Sequence, residues 1–507
     1  MGVVLTLAAT GCGDDDGADP SDSSAPSTPA SASPSTSPTT PTGSAPADLR
    51  PTGPAATMTE ELTGGDGVFI GAAVALDPAA GYEEREYVAE GTASAYTAVG
   101  ELTPDGQWTL TAGDSADYRT RVLVRRPAAE DFSGTVLVEW LNVSGGVDAD
   151  PDFATLREEI VRQGHAWIGV SAQLIGVEGG PVLVTVGEEG EGVAGMGLRA
   201  LDPERYDSLH HPGDAFAFDI FIQVARAVRE GGPAIGELVP SQVIAVGESQ
   251  SAAALVTYIN GVQPLTDTFD GFFVHSRGGG FLPLPAAGQS ADMTSTLGST
   301  TTLRTDLGVP VMDFQTENDV VGLLNSVVAR QPDSDTFRLW ETVGTAHADL
   351  RLVGETTASS LDCGVPINNG PQHVIAKAAL RHLVQWVEGG DPPPMAERLT
   401  LDDSGAQARD DDGIALGGVR TPPVDVPAEV LSGVAGPNPA VICILLGSTS
   451  PLSATQMAAR YTSLEDYEAQ YAAAVDAAID AGFVLEEDRS AIEAYARPEL
   501  VANAFAS

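Results

Sequence analysis

The stretch VIAVGESQSAAALVTYI (243–259) runs from an uninterrupted β-forming strand through Gly247, Glu248, Ser249, Gln250 and Ser251 directly into an alanine-rich helix. A strand that is apolar at every position is buried on both faces. Such strands belong to parallel sheets covered by helices on either side. This one junction therefore predicts a βα unit, and the chain around it repeats the pattern. YRTRVLVRRP (118–127) and GTVLVEWLNV (134–143) read as strands, followed by a helix over 151–164 with Phe153, Leu156 and Ile160 at helical spacing. HAWIGVSAQ (165–173) is a strand, 214–230 a helix, and SQVIAVGES (241–249) the strand that opens the junction. DGFFVHSR (270–277), VPVMDFQTE (309–317) and TFRLWETVG (336–344) are further strands, and 373–390 is a closing helix stopped by Gly389 and Gly390. The fold class that follows is α/β, a mostly parallel central sheet flanked by helices, with any site beyond the strands' carboxyl ends.

Before this alternation, 83–99 and 107–112 read as early antiparallel strands. Two stretches, 174–213 and 278–305, are long enough to act as lids. The expected boundaries are a signal remnant at 1–12, a linker at 13–55, a catalytic domain at 56–395 and an extension at 396–507. The extension ends in the amphipathic helix SLEDYEAQYAAAVDAAIDAGFV, expected to pack on the sheet domain. Composition limits the partners. With 71 acidic against 25 basic side chains, a net charge of −46, no broad basic surface can neutralise phosphates, and nucleic acid is excluded. The charge suits an exported protein kept soluble by self-repulsion.

The amino-terminal run MGVVLTLAATGC resembles the end of a bacterial lipoprotein signal, with Cys12 as the lipidated residue and a plain secretory signal or a disordered apolar end as the alternative, and it is too short to span a bilayer. The Ser/Thr/Pro/Asp-rich segment after it cannot bury enough apolar surface to offset chain entropy and reads as a flexible tether. The expected location is the cell surface, with the membrane reached only through that lipid anchor. In an oxidising compartment Cys363 and Cys443 read as one disulfide, with two separate buried thiols as the alternative. Their spacing does not resemble a zinc site. The acidic clusters at 14–16, 402–403 and 410–412 lack the alternating ligand spacing of calcium loops. No dinucleotide-binding glycine pattern follows a strand. No metal and no cofactor is expected.

Ser249 sits at the strand-to-helix corner, where an acyl-transfer nucleophile is held in strained backbone angles and needs small residues two positions either side. Gly247 meets the first demand. Ser251 departs from the usual glycine but adds only a hydroxymethyl group. A nucleophilic serine also needs a base and a group to orient it. Of the seven histidines, His347, in the small-residue loop VGTAHADL after the last sheet strand, is the best placed. For the acid, Asp319 and Glu317 both project from the loop beyond the strand ending QTE, with Asp319 preferred.

The segments VEWLNVSGG (138–146), GVSAQ (169–173), GESQSA (247–252), QTEND (315–319), RQPDS (330–334) and FRLWETVGTAHAD (337–349) resemble the α/β-hydrolases, in particular the bacterial "alpha/beta hydrolase domain" family of esterase-like proteins. The likeness runs over roughly residues 60–505, and the order Ser249, Asp319, His347 follows the Ser…Asp…His order of that fold. The resemblance implies an oxyanion hole built from the backbone N–H of Gln250 and that of Asn142 or Val143. Trp140, Gln173, His275 and Arg277 are expected to line the pocket. The function implied is hydrolysis of a small-molecule or lipid-like carboxylic ester. A peptidase or amidase using the same triad, and a catalytically silent surface lipoprotein, are the alternatives.

Overall fold

The computed structural model describes residues 53–71, 76, 80–186 and 192–506. Cys12 and the linker up to residue 52 lie outside the described residues. Nine strands form one sheet in the order β1-β2-β3-β5-β4-β6-β7-β8-β9. They are Thr57–Glu61, Glu83–Ala98, Leu110–Arg126, Thr135–Trp140, Ala166–Val170, Gln242–Glu248, Gly271–His275, Val311–Thr316 and Phe337–Thr342, β1 to β9 in chain order. The pairs joining β1, β2, β3 and β5 are antiparallel, and every pair from β5 to β9 is parallel.

One expectation changes. The strands read at 107–112 and 118–127 are parts of a single 17-residue strand, β3. The intervening small and polar residues 113–117 look like a turn, but 115–117 pair with Ser94, Ala93 and Thr92 of β2, and the ladder resumes at Ala112 after a register shift. That ladder carries a mostly exposed stretch in which only Ala116 touches the core, and the Thr92 Oγ1 to Asp117 Oδ1 hydrogen bond at 2.6 Å ties the two strands at their side chains.

Alternation along the inner strands separates two helical layers. On one face Val136, Val138, Ile168, Val243 and Ala245 pack against α2 (Ala217–Glu230) and α3 (Gln250–Thr257). On the other, Leu137, Trp167, Ile244 and Val246 pack against α1 (Pro151–Gln163) and α4 (Gln372–Val387). Phe153, Leu156 and Ile160 of α1 are all fully buried there. Helix α1 stops at Gly164, whose φ of 69° is the left-handed conformation of a helix C-terminal cap.

Residues 50–507 group as one unit. Within it, the segment after α4 forms a short antiparallel pair, β10 (Glu429–Ser432) with β11 (Ser448–Pro451), and a small core around α5 (Leu464–Asp480). Lys377, the chain's only lysine, donates from α4 to Asp488 Oδ1 and to Glu158 Oε2, both at 2.7 Å. Cys363 and Cys443 are joined as a disulfide with Cα atoms 5.3 Å apart across a separation of 80 residues. Closing a loop of that size contributes about 4 kcal/mol on a chain-entropy estimate. Among the described residues no helix is long and apolar enough to cross a membrane, and no His/Cys/Asp/Glu group could hold a metal ion.

Candidate active site

Ser249 lies between β6 and α3 with φ 61° and ψ −114°, a conformation that costs a non-glycine residue about 1–3 kcal/mol. The ladder and helix on either side hold it there. Its N–H donates to His275 O at 2.9 Å and its carbonyl accepts from Ala253 N at 3.0 Å. The tightness of the corner explains Gly247, because a Cβ there would lie 3.0 Å from the backbone of Ser251 and 3.1 Å from its Cβ. Ser251 itself is buried, and its small side chain fits beneath the turn.

His347, in the loop after β9, brings Nε2 to 2.8 Å from Ser249 Oγ and Nδ1 to 2.7 Å from Asp319 Oδ1. Asp319 is fully buried in the one-turn helix Glu317–Val320. Its second oxygen, Oδ2, accepts from Thr316 N, Thr316 Oγ1 and Ser276 Oγ, each at 2.7 Å. One carboxylate oxygen is thus spent on a helix cap and a strand-end serine, which leaves the other to face the imidazole. Burial acts to raise the Asp319 pKa, but the His347 ring and these donors overcome it and hold the carboxyl below its ordinary value. Burial likewise works against protonation of His347, and the Asp319 carboxylate outweighs it, so the imidazole sits above its usual range.

Glu317 is engaged elsewhere, which removes it as a partner of His347 in this structure. Its Oε1 accepts from Arg409 Nη2 (2.7 Å), Gly433 N (2.9 Å) and Ser432 Oγ (3.1 Å), and Oε2 accepts from Gly344 N (2.8 Å). It is a tie between the sheet and the segment beyond residue 395.

The expected oxyanion donors divide. The Gln250 N–H is the first of α3, so no residue of its own helix can accept from it. The Asn142 N–H is committed to Ala149 O at 2.9 Å, while the Asn142 side chain braces the elbow through Glu248 O at 3.0 Å. Asn142 is therefore corrected from donor to brace. The Val143 N–H donates to Gln250 Oε1 at 3.3 Å, which aims it at the corner.

None of the four residues expected to line the pocket is among its walls. Trp140 Nε1 donates to Gln173 Oε1 at 2.9 Å, and Gln173 Oε1 also accepts from Gln250 Nε2 at 2.6 Å, so both stand behind the corner and position Gln250. His275 is buried beneath it, with Nδ1 2.8 Å from Asp152 Oδ1 and Nε2 3.0 Å from Gln372 Nε2. Arg277 is locked to Asp313 Oδ2 (2.7 Å), Thr301 O (2.8 Å) and Ala329 O (3.1 Å). Trp140 and His275 end their strands on opposite faces of the sheet, both covered by helices, and Gln173 and Arg277 just beyond their strands are held by partners away from the cavity.

The cavity over Ser249 and His347 is about 490 Å³. Its walls are mostly apolar, with Ile70, Val147, Val184, Val353, Ile442 and Leu445 among them. The first expected lid stretch contributes Val184, Thr185, Val186 and Val193, whereas the second, 278–305, contributes none of the described lining and packs through Phe281 against Trp108. Ile442 and Leu445 come from the extension next to Cys443, and Leu352, Val353 and Thr357 precede Cys363, so both disulfide-linked segments form cavity wall. Sequence reasoning missed three contributors. Ser276 and Thr316 carry no signal beyond being hydroxyls at strand ends. Glu248, by contrast, stands inside the nucleophile motif and also lines the cavity.

Comparison with known proteins places this geometry in context. No curated protein matches the sequence. Among solved structures, an esterase from Rhizomucor miehei is 12% identical with a TM-score of 0.30, covering 59% of this chain and 85% of its own. A putative dienelactone hydrolase from Klebsiella pneumoniae is 14% identical with a TM-score of 0.27, covering 59% and 98%. An α/β serine hydrolase without lid from Xanthomonas campestris is 10% identical with a TM-score of 0.24, covering 49% and 83%. Likenesses this distant carry no argument about chemistry. The model of the family described as "Alpha/beta hydrolase domain" matches residues 51–494, nearly the whole described chain, and on that match the chain belongs to the α/β-hydrolase domain family.

Proposed function

We propose that the protein is a serine hydrolase of carboxylic esters. The observation that carries the reading is the relay of two short hydrogen bonds, Ser249 Oγ to His347 Nε2 and His347 Nδ1 to Asp319 Oδ1. Ser249 Oγ attacks the ester carbonyl as His347 Nε2 takes its proton, and Asp319 holds the ring tautomer and stabilises the imidazolium. The tetrahedral oxyanion is received by the N–H groups of Gln250 and Val143, each such donor worth a few kcal/mol in the transition state. This requires the Gln250 carboxamide to yield the Val143 N–H as charge develops. His347 then protonates the leaving alcohol, and water, deprotonated by the same ring, clears the acyl-enzyme. The apolar walls favour an apolar acyl group.

The test is turnover of p-nitrophenyl butyrate by the purified protein together with labelling by a fluorophosphonate probe. Both are expected, with the label mapped to Ser249. A folded protein showing neither would leave the silent binding role standing. We further propose export and anchoring through a lipid on Cys12, supported by the apolar run before it and the Ser/Thr/Pro-rich composition after it. In the native host the protein is expected to partition into the detergent phase, and Cys12→Ala to move it to the aqueous phase. An aqueous-phase wild type would remove the anchor.

A further inference from the structure

The buried carboxylates around the corner are each occupied, with one exception. Asp319 holds His347, Glu317 holds Arg409, and Asp152 holds His275. Glu139 accepts from Asp152 N, Phe153 N and Trp167 Nε1. Glu248, the residue immediately before the nucleophile, differs. Its side chain is only 6% exposed, its carboxylate has no hydrogen-bond partner among the described residues, and it forms part of the cavity wall. It is the only acid among the described lining residues, in a wall otherwise mostly apolar. Its oxygens open on the cavity rather than on sealed protein, so a donor on a bound substrate would take the place of water there.

Its position narrows what that donor is attached to. Glu248 Oε1 lies 3.8 Å from His347 Nε2, the nitrogen that must hand a proton to the departing alcohol oxygen. The leaving oxygen must approach within hydrogen-bond length of Nε2, about 2.9 Å. The leaving oxygen and the Glu248 carboxyl are thus neighbours around one nitrogen. A donor on the alcohol, two carbons beyond the ester oxygen, spans from one to the other.

We propose that Glu248 is a substrate-recognition group, and that the site selects esters of an apolar acid with an alcohol carrying a hydrogen-bond donor, a hydroxyl or a protonated amine, two carbons from the ester oxygen. This rests on the serine-hydrolase reading. Glu248 is a specificity group in it, not a member of the relay. Burial raises its pKa to about 7 against the opposing pull of His347 and His275, with Asp152 and Asp319 adding to the rise. Selection for the donor therefore strengthens as pH rises through neutrality and the carboxyl ionises.

The experiment compares 2-hydroxyethyl butyrate with its isostere propyl butyrate, and both with 2-(dimethylamino)ethyl butyrate, protonated at neutral pH. The ratio of kcat/KM within each protein cancels any change common to all esters. A hydrogen bond to a charged group is worth about 1.5–3 kcal/mol, so the wild type is expected to prefer the hydroxyethyl over the propyl ester by about 10- to 100-fold. Glu248→Leu should bring that ratio to near unity. Glu248→Gln, which keeps shape and an acceptor oxygen but no charge, should reduce it in part and abolish any added preference for the ammonium ester. The ammonium arm separates an ionic subsite from a hydroxyl-reading one. A wild type that turns over p-nitrophenyl butyrate yet treats the hydroxyethyl, ammonium and propyl esters alike overturns the Glu248 assignment and leaves the hydrolase reading intact. A folded protein that neither turns over p-nitrophenyl butyrate nor takes the fluorophosphonate label overturns the hydrolase reading itself. A hydroxyethyl preference unchanged in Glu248→Leu would move recognition to another group and sink the proposal.

Discussion

Ser249→Ala is expected to lower kcat for p-nitrophenyl butyrate by about a million-fold, the scale on which removal of a relay nucleophile acts elsewhere. The size follows from what remains. Without Oγ there is no acyl-enzyme, and only cavity binding and the oxyanion donors of the corner can act on direct attack by water. The substitution should be nearly silent in stability. Oγ makes a single hydrogen bond, to His347 Nε2, worth about 1 kcal/mol net. Alanine also meets the positive φ at this position no worse than serine does. Loss of activity with an unchanged denaturation midpoint is therefore the signature, with fluorophosphonate labelling lost in parallel. A variant keeping more than about a hundredth of wild-type turnover would show that another group is the nucleophile.

The sequence carries the position of Ser249 because its physical demands are local. The corner must turn within a few residues, so Gly247 and Ser251 have to be small, and β-branched residues must precede an alanine run. The parallel part of the sheet is legible for a related reason, since strands buried on both faces are apolar at every position. What is not legible depends on chain that arrives from far away. Glu317 and Asp319 stand two residues apart in the same one-turn helix, and the one local difference, the capping box of Asp319 with Thr316, does not say which carboxylate meets a histidine. Their difference is made by Arg409 and Gly433, about a hundred residues downstream, which occupy Glu317, and by His347, which meets Asp319. Likewise His275 reads as a pocket residue from its place at a strand end. Only the register that sets it beside Glu248, and the approach of Asp152 from α1, put it beneath the corner. The unbroken β3 was hidden because its exposed middle is held by backbone pairing, which leaves no apolar pattern to read.

Those same partners set the contrast expected between Asp319→Asn and Glu317→Gln. At Asp319 three donors converge on Oδ2, so an asparagine must turn its carbonyl oxygen toward them and its NH₂ toward His347. An NH₂ opposite Nδ1 favours the ring tautomer that carries its hydrogen on Nε2, which cannot take the Ser249 proton. A loss of about 10,000-fold in kcat is expected, as when the wrong tautomer is enforced in other relays of this kind. The pH dependence has a sign. His347 works as a base only when neutral, and in the wild type its pKa is raised, burial being outweighed by the Asp319 carboxylate, so activity falls as pH drops through that raised value. With the Asp319 carboxylate gone, burial is opposed only by the charge of Glu248, and the acid limb of the residual kcat/KM should move to lower pH. Asp319 itself titrates below its ordinary value, so the stability it lends is present above the unfolded pKa of about 3.9 and is lost as pH falls through the folded one. Glu317→Gln should behave oppositely. Gly344 N, Gly433 N and Arg409 all donate to its carboxylate, and an amide must present its NH₂ to one of them. Breaking a buried ion pair costs about 3–5 kcal/mol, less here because Arg409 is partly exposed, so the variant should unfold earlier while its folded fraction keeps most of its kcat. Measured per folded molecule, the reverse ranking would transfer the orienting role to Glu317, and an equal, modest loss in both would place the acid outside this helix.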